Sequence, residues 1–319
     1  MTGFSVKKLR LQTTIMNKLF LIASFFFAGT ALAQTESDAL FMDKKNLCGG
    51  FVYGNTSWNH YWEGTFYRDN GNIGKFKSRS VMAMANYGIA KGLNVITSAA
   101  WVDNRLTAGT LAGQRGIQDL NLFLKKELWA KDIKGFSSSL VAVGGVSAPL
   151  TNYVADYLPL SIGMRSKTAS LRLLADVQKN HWYGTASAMY TRRNNIEIDR
   201  NAYYTTEMVY SNEVFMPDVF LYNIRLGWRD GADKYFELLA DRMNTLGGFD
   251  MRKNDMPFPS NNMDFFRLGV NIKYPIPVVD GLSVMATGMQ TLTGRNVGKA
   301  TTLMLGVVYQ AAFTKGDNK

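Results

Sequence analysis

Ten charged residues stand on strand-like segments opposite apolar stripes: Asp119, Lys125, Glu127, Arg172, Asp176, Arg225, Glu237, Asp241, Arg267 and Lys273. If those stripes face lipid, the charges must face away from it, because an Arg or Lys on the lipid side near the midplane costs about 2–4 kcal/mol. They would then line a polar interior. Charges of both signs in one interior have two readings: a path whose field selects solutes, or salt bridges that fill a small interior and conduct nothing. The residues leave both open, and the mixed signs point to no strong cation or anion preference. Charge reversal at Arg172 or Arg267 is expected to alter conductance or selectivity if those residues form the constriction.

Other chemistry is thinly represented. The chain has no Gly-x-Ser-x-Gly, no phosphate-binding paired-Gly loop and no His-x-x-x-His or Cys-x-x-Cys metal spacing, so no enzyme, cofactor or metal is expected. Of its two histidines, His181 adjoins Trp182 in an expected short turn, and His60 lies between Trp58 and Trp62 near an expected outer rim. A lipase at such a rim would need His60 held by a polar group and touching a serine nucleophile, and no serine is fixed beside it by sequence. A protease of the aspartyl type would need acidic residues there, such as Asp69 or Asp103; acidic residues in outer loops are commonplace. His60→Ala separates the rim-enzyme alternative from a channel. A third alternative is a closed structural or surface-binding barrel that uses the segments 194–217 and 247–263.

The elements that position the ten charges are strands, read from period-two alternation. Leu303, Leu305, Val307, Tyr309, Ala311 and Phe313 alternate with Thr302, Met304, Gly306, Gln310 and Ala312. Leu171, Leu173, Ala175 and Val177 alternate with Arg172, Asp176 and Gln178, and the same pattern runs through 117–127, 219–229 and 265–274. Connections alternate strictly between short and long. Short turns fall at Ala90-Lys91-Gly92, 132–135, Lys179-Asn180, Asp230-Gly231-Ala232 and 275–281; long polar ones fall at 64–75, 104–115, 149–167, 194–217, 247–263 and 293–299. Five inner turns and six outer loops give twelve antiparallel strands, an all-β transmembrane barrel of the bacterial kind. Fourteen is the alternative if 158–165 and 203–212 are both strands. The first strand is expected at 50–62, with Tyr53, Trp58, Tyr61 and Trp62 as girdle and rim.

Compartment is read from the start of the chain. Residues 1–33 carry Lys7, Lys8, Arg10 and Lys18, an apolar run from Leu19 to Ala28, and Ala31-Leu32-Ala33 before Gln34. That is a secretory signal peptide, with Met16 a second reasonable start. Its apolar core is shorter than the roughly 20 residues of a spanning helix. The expected organisation is a signal at 1–33, a periplasmic segment at 34–48, the barrel at 49–313 and a tail at 314–319, with no plug domain. Four positive charges of the formal +11 would leave with the signal. The remaining Lys and Arg residues are dispersed rather than clustered, which argues against nucleic acid and for a solvated lumen and loops facing anionic lipopolysaccharide. The barrel-assembly machinery and outer-membrane lipid are the other expected partners. The single cysteine, Cys48, excludes an intrachain disulfide and is read as a buried or rim thiol.

One resemblance adds to this reading. Gly116-Ile117-Gln118-Asp119-Leu120, Leu158-Pro159-Leu160-Ser161-Ile162-Gly163 and the following strand with Arg172 resemble the family of outer-membrane transporters named for the meta-pathway of phenol degradation. That family is distantly similar to the long-chain fatty-acid channels. Its usual Gly-x-Gly-Asp-Leu has Gln118 in place of the second glycine here. The similarity extends from about Cys48 to Phe313 and implies passive uptake of small solutes, often apolar or aromatic.

Overall fold

The computed structural model describes residues 35–253 and 255–312. The expected signal peptide, Phe313 and the tail 314–319 lie outside the described residues.

Twelve strands form one closed antiparallel barrel. They are β1 (Asn46–Trp58), β2 (Phe76–Ala90), β3 (Leu93–Leu106), β4 (Asp119–Ile133), β5 (Phe136–Pro149) and β6 (Thr168–Lys179), then β7 (Trp182–Arg193), β8 (Asp218–Asp230), β9 (Lys234–Leu246), β10 (Asp264–Pro275), β11 (Leu282–Arg295) and β12 (Thr301–Ala312). Each pairs with its neighbours in sequence. The sheet closes where β1 meets β12, from Asn46 opposite Ala312 to Ser57 opposite Thr301. Closure removes every open edge, so apart from local bulges the ladder N–H and C=O groups are paired strand to strand inside lipid.

The alternation that defines the strands also defines two surfaces. Leu120, Leu122, Leu124, Leu171, Leu173, Ile224, Leu226, Leu268, Val270, Leu303 and Leu305 are exposed on the outside, while Lys125, Arg172, Asp176, Arg225 and Asp241 between them are buried inside. An apolar belt this extensive is stable only against lipid. Exposed Trp129, Trp182, Phe236 and Tyr274 lie toward the short-turn end, and Trp101, Tyr190 and Tyr222 toward the long-loop end. Short turns and termini face the periplasm in such barrels, which orients this one.

All five short turns fall where the sequence places them, and the segments around 158–165 and 203–212 stay in outer loops. At the β2–β3 turn, Gly92 has φ +65° and the Glu127 side chain is 3.0 Å from where a Cβ would stand. Only glycine suits that turn. The strand β4 is prolonged outward by Gln114–Ile117, and Gln118 between them breaks the register with β3 while donating its N–H to the Ala100 carbonyl at 2.8 Å. That is a bulge, and it falls in the motif that carried the family resemblance.

Two boundaries differ from expectation. The first strand runs from Asn46 to Trp58, not from 50 to 62; Tyr61 and Trp62 belong to a hairpin, His60–Glu63 with Phe66–Asp69, above the rim. The larger difference is the segment before β1. It turns up into the barrel instead of resting in the periplasm. Ala39 and Phe41 lie against buried Val141, Val143 and Leu174, and Met42 is buried with Cys48 and Val308. The apolar run Ala39-Leu40-Phe41-Met42 is partly withdrawn from water there, Met42 completely, which favours the insertion. A plug domain was not expected; a segment of about ten residues takes that place.

Candidate functional site: the barrel lumen

The floor of the lumen is the N-terminal segment itself. Asp38 closes a tight turn by accepting the N–H groups of Thr35 (2.6 Å) and Leu40 (2.9 Å). The Lys125 ammonium, wholly buried, donates to the Thr35 carbonyl, the Asp38 carboxylate and the Leu40 carbonyl, each at 2.8 Å. An ammonium has three donor hydrogens, and all three go to this one turn. It also lies 5.0 Å from the centre of the Phe41 ring. On the opposite wall Arg225 reaches the Ser37 hydroxyl at 2.5 Å.

Below and beside that floor the charges neutralise one another. Arg225 pairs with Glu237 at 2.9 Å, and Glu237 also takes bonds from Asn271 and the Tyr183 hydroxyl. Asp176 pairs with Arg229 at 2.6 Å and accepts from Thr185. Lys273 is fully buried against the Ala232 carbonyl and Asp233 near the periplasmic end. Glu127 stands against the β2–β3 turn. These residues line the lower barrel, most of them as neutralised pairs, around the N-terminal segment that occupies it.

Above the floor the lumen is hollow. A cavity of about 440 Å³ is bounded by Thr35, Glu36 and Ser37 below and has two unlike walls. One, from β6 and β8–β10, presents Arg172, Asn223, Arg225, Asp241 and Arg267; the other, from β1, β2, β11 and β12, presents Val52, Met82, Met84, Met285, Met289 and Met304. Arg267 pairs with Asp241 at 2.9 Å. Methionine gives an apolar, polarisable and adaptable surface. Val52, Met82 and Met304 also border a second space of about 630 Å³ nearer the outer face. The two spaces therefore lie on either side of the same three side chains.

The outer loop 150–167 folds inward to form one side of that vestibule. The resemblance motif holds it. The Tyr153 hydroxyl donates to Asp119 at 2.5 Å and accepts the Arg165 N–H at 2.8 Å. Burial, reinforced by the Asp119 carboxylate, pushes the Tyr153 hydroxyl well above its ordinary pKa, so it remains a donor. Asn104 donates to the carbonyls of Leu160 and Ser161, and Gly116 faces Ile162 so closely that a Cβ would stand 3.0 Å from it. Of the motif's four residues, Gly116, Gln118 and Asp119 serve this docking, while Leu120 faces lipid. Tyr153→Phe leaves Asp119 without its donor, at a cost of about 1–3 kcal/mol to the docked loop. Hydrogen exchange across 150–167 should rise in that variant; unchanged protection would show that the tether does not hold the loop.

Above the vestibule, loops 150–167, 194–217 and 247–263 share an apolar cluster of Ala155, Ile196, Ile198, Tyr203, Val214 and Met216, with Phe258 against it. Their outer side forms a cup of about 590 Å³ with Arg200, Tyr204, Arg252 and Phe258. His60 contacts Asn59 at 3.0 Å and Asp69 at 3.8 Å and stacks on Tyr67; no serine hydroxyl is among its hydrogen-bond partners within the described residues. His181 lies in the β6–β7 turn against Arg229 and Trp228.

Three parts of this site escape sequence reading: the segment 35–42, the methionine wall, and the pairing of Asp176 with Arg229. The apolar run before β1 was the one available signal for the first. Asp241 and Arg267 stand opposite each other on β9 and β10, but the long loop 247–263 joins those strands, so no short turn fixed that pair in the sequence.

No protein-family model and no curated protein sequence matches the chain. Among solved structures, an outer membrane channel from Pseudomonas putida F1 superposes with a TM-score of 0.67 at 12% identity, covering 88% of this chain and 100% of that one. The translocator domain of the autotransporter NalP from Neisseria meningitidis gives 0.40 at 10% identity over 97% and 99% of the two chains. OprD of Pseudomonas aeruginosa gives 0.36 at 9% identity over 89% and 100%. The fold is that of an outer-membrane β-barrel.

Proposed function

We propose that this chain is a passive outer-membrane channel for small solutes that carry an apolar or aromatic body. The observation that supports this most is the two-walled space inside the barrel, in which a methionine face opposes a polar one and which shares Val52, Met82 and Met304 with the outer vestibule. A solute moving down its gradient needs a path that desolvates it little, and a polarisable wall beside hydrogen-bonding groups offers that to molecules with both kinds of surface. The similarity of fold to an outer membrane channel, and the resemblance of Gly116–Leu120 and Leu158–Gly163 to the phenol meta-pathway transporters, agree with this reading. In it the N-terminal segment is a gate whose displacement opens the lower barrel.

Liposome swelling tests the preference. Phenylalanine, which has an apolar body yet crosses lipid slowly, should enter vesicles containing the folded protein faster than a pentose. Equal rates would remove the selective role of the methionine wall. A second reading, in which the protein binds ligands at its surface, is supported by the aromatic cup between the outer loops. Removing 200–210 would abolish surface binding in that case and leave swelling unchanged.

A further inference from the structure

Three arginines face the central cavity, and one of them differs from the others. Arg225 and Arg267 each hold a carboxylate, Glu237 and Asp241, at 2.9 Å. Arg172 holds none among the described residues. It is 2 % exposed, its Nη1 donates to the Ser187 hydroxyl at 2.9 Å, its Nη2 meets the Met189 sulfur at 3.4 Å, and its Nε has no hydrogen-bond partner. Register explains the isolation: Val143 and Met189 stand opposite it on the two flanking strands. A guanidinium has five N–H donors in a planar fork and cannot discharge itself by losing a proton. Buried with a thioether and one hydroxyl, it keeps an unmet demand for an anion.

From this geometry we infer that Arg172 is the docking point for the carboxylate of a small amphipathic solute whose apolar body lies on the methionine wall across the same cavity. The carboxylate supplies the charge and acceptor that Arg172 lacks, and a planar two-oxygen group matches the fork. Met82, Met84 and Met289 offer the body an apolar surface, and a space of about 440 Å³ suits a molecule of roughly the size of a substituted benzoate. Glu36 and Asp241 also line the cavity. Asp241 is engaged with Arg267 and Asn223. Glu36 makes no ion pair among the described residues, yet of the carboxylates its charge acts most strongly on Arg172, so a solute's carboxylate gains there by making the direct hydrogen bonds that Glu36 does not make. The assignment deepens the channel reading by naming a solute class, while binding itself does not require passage.

Calorimetric titration of the folded protein in amphipol, with benzoate and with its neutral counterpart benzamide, tests this directly. Benzoate should bind about tenfold or more tightly than benzamide, the discrimination expected of a charge-assisted pair. Acetate, with the same head and no body, should bind more weakly than benzoate. In Arg172→Gln the preference of benzoate over benzamide should vanish. Equal binding of the two ligands by the unaltered protein would overturn the assignment without any variant, and so would a preference that survives in Arg172→Gln. Binding that obeys these expectations in a protein showing no solute flux would retain the subsite and remove the channel.

Discussion

A chain lacking residues 35–41 is expected to admit small solutes into vesicles several-fold faster than the intact protein, with the barrel itself unchanged. The expectation follows from what the segment occupies and how it is held. Thr35, Glu36 and Ser37 are the floor of the central cavity, and Ala39 and Phe41 fill the space against β5 and β6 below it. None of these residues contributes to the barrel ladder, which begins at Asn46. Their removal takes away the obstruction and leaves Lys125, formerly bonded three times, facing water in the widened lumen. Solvation replaces the lost bonds, so the barrel remains folded and heat-modifiable. Lys125→Met should produce a partial version: the segment stays attached but is held only by its apolar contacts and by Arg225. If the deletion leaves uptake unchanged, the obstruction lies elsewhere and the segment is a structural filler.

The second large effect concerns the charges that do not line the cavity. Asp176→Leu should destabilise the barrel by about 3–5 kcal/mol, because it strands a buried guanidinium at Arg229. Arg229 keeps only Gln178 (2.6 Å) and the face of the Tyr183 ring, 4.3 Å from its centre. The double change Asp176→Leu with Arg229→Met should recover most of that loss, since a buried pair is often replaced by apolar residues at little cost. Urea unfolding in lipid vesicles measures both. Equal destabilisation by the single and double changes would show that the cost comes from packing and not from the orphaned charge.

How much of this could be read from residues alone depends on the range of the interaction. Strand positions and turn parity rest on local alternation, such as Leu171, Leu173 and Val177 against Arg172 and Asp176, and lipid on one side makes that alternation strict. The inward orientation of the charges follows from the same argument. Which charges meet does not. Lys125 is satisfied by Asp38, 87 residues earlier, and Arg225, besides its pair with Glu237, reaches a hydroxyl at Ser37, 188 residues earlier. The segment that supplies both has no periodicity, so it read as periplasmic. Of the two readings of the lumen charges, each applies to a different height: the lower barrel is salt-bridged and filled, and the space above the segment is open. The resemblance motif proves to be a bulge with a loop tether at Asp119, which alternation alone could not indicate.

The measurement that tests the central claim most directly is single-channel current of the folded protein in a planar bilayer, beside the chain lacking 35–41. A lumen closed by its own N-terminal segment predicts small, brief openings from the intact protein and larger, sustained ones from the shortened chain. Silence from both, with each shown to be folded by heat-modifiable migration, would contradict a continuous path and leave a closed barrel whose function resides in its outer loops.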